Sequence, residues 1–149
     1  YIYWGTMEIP KFSEWQKFDE FRCNEIAKFP GVYLLAHFDK RPKGNPVVTS
    51  PKIIYVGETT GQKITKRLYN FSRSAFSQEI GHSGGWTYSN KVLNNKITNS
   101  TPENLYVSAI SVSYDVPEIE RKAFIKLVER LVIWEFYQKN KCYPLCNTA

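Results

Sequence analysis

Two apolar stretches decide how this chain reads: Gly31-Val32-Tyr33-Leu34-Leu35-Ala36-His37-Phe38, and Lys52-Ile53-Ile54-Tyr55-Val56-Gly57. Each is short and rich in β-branched and aromatic residues, and each carries a glycine and a tyrosine at one end. Pro30 separates the first from the segment before it. The connection between them, residues 39–51, contains three prolines and one glycine and is too short for a helical crossover. The two stretches are therefore expected to pair as an antiparallel hairpin, with Tyr33 and Tyr55 on adjacent strands.

Outward from the hairpin, residues 62–76 carry Ile64, Leu68 and Phe71 on one helical face and Lys63, Lys66, Arg67 and Arg73 on the others. Gly81-His82-Ser83-Gly84-Gly85 reads as a loop, and a short polar helix is expected over about 88–97. Residues 105–114 read as a third strand covered on both faces, with Leu105, Val107 and Ala109 on one side and Tyr106, Ile110 and Val112 elsewhere. Pro117 suits a helix start, with Glu118 and Glu120 near the positive end of the dipole, and the helix runs to about Asn140. Upstream, Ser13 and Gln16 have capping-box spacing and Trp15, Phe18, Phe21 and Ile26 fall near one face. That pattern predicts an amphipathic helix over residues 13–28. The expected fold is α/β, a small central antiparallel three-stranded sheet flanked by helices. Residues 1–30 form an N-terminal helical extension packed on a single compact unit, residues 31–149.

With 149 residues, of which 42% are hydrophobic, the chain is long enough to bury a core without metal or disulfide staples. Cys23, Cys142 and Cys146 are odd in number and lack zinc spacing, so they read as thiols. There is no apolar run of membrane-spanning length and no signal-peptide layout, which implies a cytoplasmic, intracellular protein without a membrane partner. The net charge of +6 favours an anionic partner, and Lys63, Lys66, Arg67 and Arg73 concentrate it just after the second tyrosine.

The ordered set Gly31-Val32-Tyr33, Tyr55-Val56-Gly57, Arg67, His82, Glu129 and Asn147 resembles the GIY-YIG nuclease superfamily, and it spans most of the chain. The resemblance implies a metal-dependent endonuclease that cuts DNA, with Mg2+ or Mn2+ as cofactor. Tyr33 would then activate the attacking water, and Tyr55 would orient it or hold the phosphate. Arg67, in the context Lys66-Arg67-Leu68, would bind the scissile phosphate, with Arg73 as the fallback. Lys63, Lys66 and Arg73 would contact the nucleic acid.

Glu129 is the implied metal ligand. It lies in a helix that is apolar on nearly all sides, where a carboxylate needs a partner. Glu135 is the alternative ligand, and a salt bridge to Arg130 is the plain structural reading. His82 would serve as a proton shuttle or phosphate contact. Phe71 stands one turn after Arg67, where some relatives carry a histidine. Asn147 would bind phosphate or fix the C-terminal turn. His37 reads as structural, and Trp86, Tyr88 and Asn90 are candidates for base contacts. Specificity would come from residues 39–51 and 77–100, from a homodimer, or from a fused or partner protein. The alternative function is a non-catalytic DNA-binding module that retains the nuclease fold.

Overall fold

The computed structural model describes residues 8–148. The first seven residues of the expected N-terminal extension lie outside them. The chain forms a mixed α/β fold around one antiparallel sheet, in the order β1 (Gln16–Lys17), α1 (Phe18–Phe21), β2 (Gly31–His37), β3 (Ile53–Thr59), α2 (Ile64–Ser77), α3 (Ser83–Lys91), β4 (Leu105–Ser111) and α4 (Glu118–Asn140). A short 3-10 turn, Glu25–Lys28, precedes β2.

The strand order is β1-β4-β2-β3, which makes β2 central and β3 an edge. The hairpin pairs Tyr33 with Gly57 and Leu35 with Tyr55, and a bulge follows between Leu35 and Ala36. Because of that bulge, Ile54 and Tyr55 both pack with the α2/α3 side of the sheet, whereas Ile53 and Val56 pack with the α4 side. Two cores result. Tyr33, Leu35, Leu105, Val107 and Ala109 meet Ile64, Leu68, Phe71 and Ala75 of α2 on one face. Val32, Leu34, Ala36 and Tyr106 meet Ile125, Val128, Val132 and Phe136 of α4 on the other. Both faces of β4 are covered, as its irregular alternation implied.

The helix expected over 13–28 is not formed. Ser13 pairs with the edge of β4 instead of capping a helix: its N–H donates to the Ala109 carbonyl at 2.9 Å, and its hydroxyl accepts from the Ala109 N–H at 3.1 Å. The segment thereby adds a fourth strand, and Phe12 and Trp15 pack on the α4 side while Phe18 and Phe21 pack on the other. Satisfying the open backbone groups of β4 outweighs a local periodicity that aromatic side chains can also fulfil from an extended chain and one short turn.

The Gly81–Gly85 segment is likewise not simply a loop. His82 is the N-cap of α3, and Gly84 and Gly85 lie in its first turn. A Cβ on Gly84 would stand 2.4 Å from the Tyr55 ring, and one on Gly85 would stand 2.6 Å from the Phe71 carbonyl oxygen. The glycines are there for close packing of α3 on α2 and β3, and so α3 starts five residues earlier than the polarity pattern indicates.

Candidate functional site

The site is assembled at the exposed edge of β3, where five separate segments converge. Tyr33 comes from the central strand and Tyr55 from the edge strand, and their ring centroids are 6.1 Å apart. Glycines make room for both rings. A Cβ on Gly57, the strand partner of Tyr33, would stand 2.4 Å from the Tyr33 Cζ, just as Gly84 yields to Tyr55.

Arg67 projects from the second turn of α2 and is half-buried. Its positive charge works to lower the pKa of Tyr33, Tyr55 and His82 alike, which places it among all three. Burial nevertheless dominates: it drives the Tyr33 phenol well above its ordinary value, pushes Tyr55 up to about 12, and pushes His82 down to about 4. The turn before α2 is closed by Thr59. Its hydroxyl donates to the Gln62 carbonyl at 2.9 Å and accepts from the Gln62 N–H at 3.0 Å.

Tyr55, Ser83, Glu129, Arg130 and Asn147 line a pocket of about 160 Å³. The Glu129 side chain is 18% exposed, and its nearest cation is the Arg130 Nε at 3.5 Å, on a side chain that is 68% exposed. Burial raises the Glu129 pKa, and the Glu58 carboxylate pushes it the same way. Among the described residues, the Glu58 carboxylate is ion-paired with the exposed Lys126, at 3.7 Å. Glu129 is thus a mostly desolvated carboxylate with weak compensation, facing a polar pocket. Glu135 is not among the residues lining that pocket.

Mg2+ commonly binds through one or two carboxylates and keeps waters or substrate phosphate as its other ligands, so Glu129, which lines this pocket, fits such an ion. Among the described residues, no group of three or more His, Cys, Asp or Glu side chains is arranged to hold a metal.

The remaining residues divide between the site and its supports. Asn147 is fixed by the β3 edge: the Val56 N–H donates to its Oδ1, and its Nδ2 donates to the Val56 carbonyl, both at 2.9 Å. Its amide therefore completes the strand edge beside Tyr55. The Cys146 N–H also donates to the Ile54 carbonyl, at 2.7 Å.

His82 is buried, and its Nε2 lies 2.9 Å from the Tyr33 hydroxyl. Its ring meets Phe71 at 5.4 Å and Tyr55 at 5.6 Å, so Phe71, in the place after Arg67, serves as the wall that holds the imidazole. Lys63 is the extended N-cap residue of α2, four positions before Arg67. Lys66 stands over the Tyr69 ring at 5.5 Å, and Arg73 is ion-paired with Glu79 at the far end.

Tyr88 is buried, with its hydroxyl 2.9 Å from the His37 Nε2, so it is a core residue and not a base contact. His37 also bonds Asn104 at 3.0 Å, in keeping with a structural role. Trp86 is 43% exposed beside Ile80, at the mouth over His82.

Three supports had no sequence signal. Ser74 accepts the His82 backbone N–H at 3.1 Å. Glu58 is a second carboxylate close enough to raise the Glu129 pKa, though it does not line the pocket. Arg121 is a buried arginine that donates to the Thr60 and Val116 carbonyls and clamps the turn before α2.

Among the described residues, no helix is long and apolar enough to cross a membrane. No family model, curated protein or solved structure matches the chain.

Proposed function

We propose that the chain is a metal-dependent DNA endonuclease of the GIY-YIG type, hydrolysing phosphodiester bonds by direct attack of water. The observation that carries this reading is the convergence, from five segments spread over residues 33–129, of two tyrosines, an arginine, a histidine and a weakly compensated glutamate around one polar edge of the sheet.

Phosphodiester hydrolysis needs a proton acceptor for water, a counter-charge for the phosphorane-like transition state and help for the leaving oxygen. Tyr55 lines the pocket, whereas Tyr33 is 0% exposed, so the tyrosine in contact with water is Tyr55, and Tyr33 stands behind it. This exchanges the roles that the resemblance implies. The Arg67 guanidinium meets the phosphate and favours the ionised form of Tyr55. Glu129 would hold Mg2+ or Mn2+, which would supply charge stabilisation and leaving-group assistance. Lys63, four positions before Arg67, contacts the next phosphate. Trp86 offers a ring to an adjacent base.

The test is cleavage of supercoiled plasmid with Mg2+, Mn2+ or EDTA, comparing the wild type with Glu129→Gln. Metal-dependent nicking lost in the variant supports the reading. Salt-sensitive DNA binding by both proteins without cutting by either would replace it with the binding-module alternative.

A further inference from the structure

His82 is held at both ring nitrogens, and the two contacts together fix its chemistry. As N-cap of α3, its Nδ1 receives the Gly85 N–H at 3.1 Å. A nitrogen that accepts a hydrogen bond carries a lone pair, so in the neutral imidazole the ring proton must reside on Nε2. Nε2 is the atom 2.9 Å from the Tyr33 oxygen. The opposite tautomer would set an Nδ1–H against the Gly85 N–H and leave that buried donor without a partner. The Phe71 and Tyr55 rings pack against the imidazole, and Ser74 accepts from the His82 backbone N–H.

We propose that His82 is a fixed hydrogen-bond donor to Tyr33 and not its proton acceptor, so that the Tyr33 hydroxyl proton never passes to the imidazole. His82 is then a positioning residue: it occupies one acceptor direction of the Tyr33 oxygen and turns the hydroxyl proton away from itself. A proton relay through His82 would require Nε2 to be basic, which the helix cap forbids while it is made. The importance of this for cutting rests on the nuclease reading. The tautomer itself does not.

Long-range 1H–15N correlation spectra of the 15N-labelled full chain decide the tautomer directly, because only His37 and His82 contribute. The His82 Nδ1 is expected to resonate as an unprotonated, pyridine-type nitrogen and Nε2 as a protonated, pyrrole-type one, both in the wild type and in Tyr33→Phe. A protonated Nδ1, or averaging between tautomers, overturns the proposal.

In cleavage assays, His82→Gln restores a donor near the Nε2 position and His82→Asn keeps only the cap. The Gln variant is expected to cut about ten-fold faster than the Asn variant, the worth of one well-placed hydrogen bond. Equal loss in both, with a wild type that cuts, means that a base is needed at position 82 and overturns the proposal. A wild type that shows the expected tautomer but never cuts overturns the nuclease reading while the donor assignment stands.

Discussion

Lowering the pH should unfold this protein through His82, by an amount the structure sets. The ordinary histidine value near 6.5 applies to the unfolded chain, and burial with Arg67 close by brings it to about 4 in the fold. The unfolded state therefore binds the proton first. The His82 contribution is intact above about pH 6.5 and is lost as pH falls toward 4. Between those values the two-state titration gives a loss of about 2 kcal/mol at pH 5 relative to pH 7.5.

His37 is also shifted down by burial and acts in the same direction, as do other groups, so the measurement is a difference. Urea denaturation of the wild type and of His82→Asn, which keeps a cap acceptor, should be carried out at both pH values. The variant should lose about 2 kcal/mol less than the wild type on acidification. Identical losses in the two proteins would mean that His82 does not stay neutral when folded, and would remove the physical basis for treating it as a locked imidazole.

Gly57→Ala forces a methyl into the Tyr33 ring and should cost about 1–3 kcal/mol in urea denaturation, with loss of cutting beyond what the stability change explains. Asn147→Ala removes both bonds to Val56 and should destabilise by about 1–3 kcal/mol, with faster amide exchange at Val56 as its local signature. Arg67→Lys keeps the charge but loses the planar fork, so plasmid cleavage should fall by about a hundred-fold or more, while DNA binding measured by anisotropy changes little.

The hairpin, α2, β4 and α4 were legible in the sequence because each is a strongly periodic run bounded by proline, glycine or charged residues. The N-terminal segment was not. Trp15, Phe18 and Phe21 satisfy a helical spacing, but they are placed by an unpaired strand edge that exists only after β4 has folded. The glycines at 84 and 85 misled in the opposite sense, since their reason lies in the Tyr55 ring and the Phe71 carbonyl and not in local flexibility. Candidate site residues could be named from residue type and order. What the sequence could not supply was orientation: that Tyr33 is enclosed and Tyr55 lines the pocket, that Tyr88 bonds His37, and that Arg73 is engaged by Glu79.

The physical logic of the site follows from placing it at a strand edge. An edge strand leaves backbone groups open, and here Cys146 and Asn147 close them, so the last turn of the chain is bound to the strand that carries Tyr55. Glu129 arrives from the helix on one face of the sheet, and Arg67 and His82 arrive from helices on the other. Only at the edge can groups from the two faces meet, because the sheet separates them everywhere else. Strand alternation from the Leu35 pairing puts Tyr55 on the α2/α3 side and its neighbour Val56 on the α4 side, and the bulge adds Ile54 to the face of Tyr55. Tyr55 is thus the residue through which the two halves of the site communicate. Its pKa is pulled down by Arg67 from one face and pushed up by Glu129 from the other. A cation held by Glu129 would cancel the opposing charge and leave Arg67 to act alone, so the readiness of Tyr55 to ionise should follow occupancy of the Glu129 site.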